Sequence, residues 1–118
     1  MKILIVEDNY AMRHLIRSVL SDMAEVLECG DGADALAFYE QHRPDWVLMD
    51  IRMQNVSGIE ATRQIIAAYS DARVIIVTNY NDERLREAGR TAGACDYVLK
   101  EDLTSLRRIL TAPTERAQ

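Results

Sequence analysis

The chain has 118 residues, with 14 basic against 19 acidic side chains and a net charge of −5. A single domain of this length buries roughly two-thirds of the surface its unfolded chain exposes, and a 48% apolar content supplies a core without staples. Those figures exclude disordered and collagen-like classes, and the acidic balance argues against direct nucleic-acid contact, which needs a basic stripe facing the phosphates.

The first predicted strand, Lys2 to Val6, turns acidic at Glu7 and Asp8. It lacks the basic start, apolar middle and small-residue cleavage site of a signal peptide, so a cytoplasmic location is expected. Met12, Leu15, Ile16, Val19 and Leu20 then recur at helical spacing and predict a helix with this stripe in the core. A second strand over Glu25 to Glu28 leads through Gly30-Asp31-Gly32 into a helix over Ala33 to His42. Arg43-Pro44-Asp45 stops that helix before a third strand, Trp46 to Met49. Ser57 is placed to cap a helix whose stripe is Ile59, Thr62, Ile65, Ile66 and Tyr69. A fourth strand over Arg73 to Val77, a helix over Asp82 to Ala92, the Gly93 junction, a fifth strand over Cys95 to Leu99 and a helix over Leu103 to Leu110 follow. From Thr111 the periodicity fades and Pro113 intervenes, so the domain is read as 1–112, with 113–118 a tail or the start of a linker.

Apolar runs such as Ile3 to Val6 and Trp46 to Met49 span four residues, far below the ~20 of a membrane-spanning helix, so no membrane association is expected. Cys29 and Cys95 lie in no metal or redox spacing and are read as free thiols of a reducing compartment. His14 and His42 sit on predicted helices without companion ligands and are read as solvated. Trp46 is read as core or rim.

Alternation of strand and helix implies an α/β fold, and strands of near-continuous aliphatic character imply a parallel sheet covered on both faces. Right-handed crossovers leave few strand orders. In such sheets, ligands sit outside the carboxyl ends of the strands. Those positions hold Glu7 and Asp8 after the first strand, Asp50 after the third, Thr78 after the fourth and Lys100 after the fifth. Three carboxylates converging in one partly dry crevice repel one another unless a cation intervenes, and Mg²⁺ suits such a set together with waters and phosphate oxygens. Asp50, on the central strand, is the candidate nucleophile toward phosphorus. Lys100 supplies positive charge and the Thr78 hydroxyl a hydrogen bond for the transferred oxygens. The chain has 12 arginines and only two lysines, so a lysine at a strand end invites a specific role.

With these residues the chain resembles the receiver domain of two-component response regulators over essentially its whole length. The motifs are Ile3-Leu4-Ile5-Val6-Glu7-Asp8-Asn9, Val47-Leu48-Met49-Asp50-Ile51-Arg52-Met53, Gly58, Ile76-Val77-Thr78, Gly93-Ala94 and Tyr97-Val98-Leu99-Lys100. The resemblance implies a doubly wound, flavodoxin-like five-stranded sheet of order 2-1-3-4-5. It also implies phosphorylation of Asp50 by a histidine kinase or phosphotransfer protein. Asp8, Asp50 and the main-chain carbonyl of Arg52 would hold Mg²⁺ directly, and Glu7 through water. Thr78 and Tyr97 match the family's switch pair, and Arg52 and Tyr80 occupy positions that tune loss of the phosphoryl group. The wording Leu99-Lys100-Glu101-Asp102-Leu103 is similar to receivers that precede a LuxR-type helix-turn-helix domain, which would make the output transcriptional control through a DNA-binding domain, or a homodimer formed on activation.

Three positions depart from the family's pattern. Gln54 stands where Pro is frequent. Asn79 replaces a small residue and is expected to narrow access for small phosphodonors. Glu101 follows Lys100 in place of Pro, so a cis peptide there would cost ~2.5–4 kcal/mol and a trans bond is expected. Such a receiver catalyses its own phosphorylation and dephosphorylation without turning over an external substrate. Two other readings stand beside it: a docking module independent of phosphorylation, motivated by Gln54 and Asn79, and a Mg²⁺-dependent phosphoester hydrolase, for which no separate general base is evident. Kinase, stimulus, output and oligomeric state are not encoded in these motifs, and Leu103, Leu106 and Leu110 could face the sheet, a sister subunit or an output domain.

Overall fold

The computed structural model describes residues 1–53 and 55–112. Five strands, β1 (Lys2–Val6), β2 (Glu25–Cys29), β3 (Trp46–Met49), β4 (Val74–Thr78) and β5 (Asp96–Leu99), alternate with α1 (Tyr10–Leu20), α2 (Ala35–His42), α3 (Gly58–Ala68), α4 (Glu83–Ala92) and α5 (Thr104–Thr111). Short 3₁₀ turns, Gly32–Asp34 and Lys100–Asp102, lead into α2 and α5. The sheet is wholly parallel in the order β2-β1-β3-β4-β5, as the resemblance implied.

Alternate residues of the central strands face opposite layers, and both layers are apolar. Leu4, Val6, Val47, Met49, Val74 and Ile76 pack with Ala35 and Tyr39 of α2 and with Ala61 and Ile65 of α3. Ile3, Ile5, Leu48, Ile75 and Val77 pack on the other face with Ile16 and Leu20 of α1 and with Leu106 and Leu110 of α5. Each such aliphatic side chain contributes about 1.5–3 kcal/mol by leaving water. The apolar face of α5 is therefore spent on the sheet through Leu106 and Leu110, while Leu103 packs partly buried beside them.

The helix starts follow local chemistry. Asn9 caps α1 by accepting from Met12 N at 2.8 Å, Ser57 caps α3 by accepting from Glu60 N at 3.2 Å, and Asp82 caps α4 by accepting from Arg84 N and Leu85 N. α2 ends at Arg43, whose left-handed backbone (φ 46°) turns the chain into Pro44. Leu15 departs from its expected core position and is 47% exposed. The inward face of α1 centres on Ile16 and Leu20, and Leu15 lies one helical step away, over the carboxyl ends of the strands. No peptide bond among the described residues is cis, so the Lys100–Glu101 bond is trans as expected. Gln54 and residues 113–118 lie outside the described residues. Among the described residues no helix is long and apolar enough to cross a membrane.

Candidate functional site

The last rungs of the sheet place the acidic residues. Glu7 N donates to Cys29 O of β2 and Asp50 N donates to Val6 O of β1, each at 3.0 Å, so both backbones are still fixed by the ladder where their side chains leave it. Asp50 is then held from the other side. Gly58, the first residue of α3, lies so close to the Asp50 main chain that a Cβ there would stand 1.8 Å from the Asp50 carbonyl oxygen. Only glycine allows this approach, and Gly58 N donates to Ile51 O at 2.8 Å to seal the turn.

Carboxylate oxygens of Glu7, Asp8 and Asp50 lie within 4.8 Å of one another. Glu7 and Asp50 are buried and Asp8 is exposed, so the cluster opens to solvent on one side. The Lys100 ammonium lies 2.7 Å from Glu7 Oε1 and 3.2 Å from Asp50 Oδ1. Glu7 Oε2 also accepts from Asn9 N at 3.1 Å. Burial pushes both the Glu7 and Asp50 carboxyls above their ordinary range, against the pull of Lys100. For Lys100 burial opposes the charge, but the hydrogen bond to Glu7 and the fields of Asp50 and Glu7 outweigh it and hold the ammonium above its usual value. Three carboxylates facing one ammonium leave the cluster short of positive charge.

A cleft of about 380 Å³ opens over this cluster, lined by Glu7, Asp8, Asp50, Arg52, Tyr80 and Lys100, with Leu15 and Asn79 at its margin. The Arg52 guanidinium stacks on the Tyr80 ring, 4.5 Å from its centroid. The sequence placed these two residues separately at the site; their contact joins the β3–α3 and β4–α4 loops across the cleft mouth. Thr78 is fully buried, and its hydroxyl oxygen accepts from Tyr80 N at 3.3 Å, so it stands behind the cleft without lining it. Tyr97 lies apart, in a neighbouring depression of about 320 Å³ that also takes in Arg86, Arg90 and Asp96. Its hydroxyl donates to Tyr80 O at 2.5 Å, and Arg86 stacks over its ring at 4.4 Å. Tyr80 thus touches Arg52 through its ring, Thr78 through its amide and Tyr97 through its carbonyl.

Sequence reasoning missed Arg13, which reaches from α1 to the Glu7 carbonyl oxygen at 2.8 Å and to Glu28 Oε1 at 2.8 Å. Its position on the α1 face beside the β1 end was the available signal. Of the residues given no role in the site, Cys29 is buried and donates to Asp31 O at 3.1 Å, Cys95 is exposed, His14 is exposed and stacks on Tyr10, and His42, read as solvated, is half-buried against Phe38.

Residues 3–111 match the response regulator receiver domain family. The chain is 35% identical over 105 residues to the uncharacterized transcriptional regulatory protein YxjL of Bacillus subtilis, covering 86% of this chain and 48% of that protein. It is 35% identical over 100 residues to the chemotaxis protein CheY of Halobacterium salinarum, covering 84% of this chain and 83% of that one. Among solved structures, the LuxR-family two-component response regulator from Aurantimonas sp. SI85-9A1 superposes with a TM-score of 0.88 at 30% identity, over 92% of this chain and 81% of that chain. The chain spans about half the length of YxjL and of DegU from Brevibacillus brevis, transcriptional regulators that it matches. With the acidic cluster and its lysine gathered at the carboxyl ends of a 2-1-3-4-5 sheet, this chain belongs to the response regulator receiver domain family of two-component signalling.

Proposed function

We propose that this receiver accepts a phosphoryl group on Asp50 from the phosphohistidine of a kinase or phosphotransfer protein, with Mg²⁺ bound at Glu7, Asp8 and Asp50. The observation that carries the reading is the gathering of three carboxylates within 4.8 Å around a single buried lysine. Hard oxygen donors, one of them exposed, suit Mg²⁺ with retained waters. When bound, the cation neutralises the carboxylates and offsets charge on the phosphoryl oxygens. Asp8, Asp50 and the Arg52 main-chain carbonyl would hold it directly, and Glu7 through water.

An Asp50 oxygen forms the new O–P bond as the N–P bond to the donor imidazole breaks, and the imidazole leaves with the bonding pair. Lys100, nearer to Glu7 than to Asp50, is free to follow a phosphoryl oxygen without abandoning its pairing in the site. Thr78 gives up its bond from Tyr80 N and donates to the phosphoryl group. That releases the loop pinned by the Tyr97 hydroxyl, so occupancy of Asp50 is read at β4–α4 and β5. Arg52 and Tyr80, stacked over the cleft, obstruct the attacking water and lengthen the life of the phosphoryl group. The receiver occupies residues 1–112, with residues 113–118 a tail or the start of a linker. The output is transcriptional control through a DNA-binding domain, in the cytoplasm with its kinase, or a homodimer formed on activation.

The test is a titration with beryllium fluoride and Mg²⁺, read by NMR at Thr78, Tyr97 and Lys100 and by mass in solution. Shifts that need both components and vanish in Asp50→Asn are expected, with a gain in mass if dimerisation is the response. A silent titration of folded protein overturns the reading in favour of a docking module that works without phosphorylation.

A further inference from the structure

The Glu7–Asp8 pair sits on a peptide whose geometry is set by a side chain outside the cleft. Past β1 the Glu7 carbonyl has left the ladder, and Arg13 NH1 donates to it at 2.8 Å. The same guanidinium donates through Nε to Glu28 Oε1 of β2 at 2.8 Å, and Arg17, one turn on in α1, grips the other oxygen of Glu28. The Arg13 side chain is only 19% exposed. It passes close over Gly30, where an added Cβ would stand 3.3 Å from its NH1. Gly30, Glu28 and Arg17 thus surround Arg13, which alone of them touches the Glu7 carbonyl.

The carbonyl of Glu7 and the amide of Asp8 belong to one planar peptide unit. Fixing the carbonyl direction therefore fixes the torsions on either side of it, from which both carboxylates are aimed. Asp8 depends on this most, because its exposed carboxylate accepts no hydrogen bond among the described residues, whereas Glu7 is held by Lys100 and Asn9. Glu28 also offsets part of the charge of Arg13, sharing its single negative charge between Arg13 and Arg17. Glu28's carboxyl is held below its usual range: partial burial works against this, but hydrogen bonds from Arg17 and Arg13 outweigh it. An uncompensated guanidinium beside the acidic pair would compete with a cation; pairing with Glu28 weakens that competition, while the bond to the Glu7 carbonyl supplies the geometry.

We infer that Arg13 is a positioning residue for the divalent-cation site, presetting the Glu7–Asp8 peptide so that the carboxylates converge before the cation arrives. The inference rests on the reading of that cluster as a Mg²⁺ site. Partners one step behind metal ligands typically govern affinity by about 10–100-fold. Arg13→Ala is therefore expected to weaken Mg²⁺ binding by about tenfold, and Arg13→Lys, with one ammonium for two acceptors, by less.

The experiment is a Mg²⁺ titration of ¹⁵N-labelled wild type, Arg13→Ala, Arg13→Lys and Arg17→Ala, read from amide shifts, with urea stability measured on each. Arg17→Ala removes a Glu28 partner of the same network without touching the Glu7 carbonyl. It is expected to lose stability comparable to Arg13→Ala yet keep wild-type Mg²⁺ affinity. In metal-free protein, the Asp8 and Asn9 amides should shift in Arg13→Ala and stay in place in Arg17→Ala. Should Arg13→Ala fail to fold, Arg13→Lys against Arg17→Ala carries the same comparison. Wild-type affinity in the Arg13 variants, or equal weakening in Arg17→Ala, overturns the positioning role. A wild type that binds no Mg²⁺ overturns instead the site reading beneath it.

Discussion

Replacing Lys100 by Met removes the ammonium that contacts both Glu7 and Asp50 while keeping a long unbranched side chain in its place. The Lys100, Glu7 and Asp50 side chains are 8%, 2% and 8% exposed, so solvent screens this pairing weakly. Breaking a buried pair costs about 3–5 kcal/mol because the remaining charge is stranded, and the opening at Asp8 places the expected loss near the lower figure. That is a large part of the roughly 5–15 kcal/mol that holds a domain together. The loss depends on pH with a definite sign. Burial already raises both carboxyls above their unfolded values, and without Lys100 they rise further. In the window from the unfolded carboxylate range up to the raised folded values, the folded state binds more protons than the unfolded one, so stability falls as pH rises and returns as pH falls. Urea unfolding followed by Trp46, a single buried tryptophan, gives the readout. The gap between Lys100→Met and wild type should be about 3 kcal/mol near pH 8 and shrink toward about pH 5, and Mg²⁺ should close part of it. A gap that is the same at both pH values, or below about 1 kcal/mol throughout, would refute the claim that these charges are desolvated.

Gly58→Ala should cost about 3 kcal/mol or more in urea unfolding and abolish phosphorylation of Asp50, since its Cβ meets main-chain atoms that cannot step aside; wild-type labelling would show that the turn relaxes freely. Arg52→Gly with Tyr80→Ala should shorten the lifetime of the phosphoryl group, with the single variants failing to add because the two side chains stack. An unchanged decay rate after the donor is removed would end that account. Mg²⁺ affinity measured by calorimetry should strengthen as pH rises, by up to about tenfold per pH unit for each proton displaced, because Glu7 and Asp50 must shed protons to take the cation. A flat profile would mean that both are already ionised.

Much of the fold was written in the chain because a parallel sheet buried on both faces demands uninterrupted aliphatic runs, and Ile3–Val6, Trp46–Met49 and Val74–Val77 have no other role in a chain this short. The convergence of Glu7, Asp8, Asp50 and Lys100 was legible for the same reason: residues at the carboxyl ends of neighbouring parallel strands must share one edge. The strand order came from family resemblance, since alternation of elements is compatible with several orders. Other features depended on how the layers settle against each other. Periodicity names a helix face only to within a residue step, so Leu15 read as core and lies at the cleft margin. Thr78 closes β4 and Tyr97 lies within β5, yet one hydroxyl accepts from Tyr80 N and the other donates to Tyr80 O, a choice made by side-chain torsion and loop path. The Arg52–Tyr80 stack joins loops remote in the chain, and Arg13 reaches back from α1 to the Glu7 carbonyl and across to Glu28 of β2. Long arginine side chains carry no periodic signature, and their partners are fixed only once helices and strands have packed.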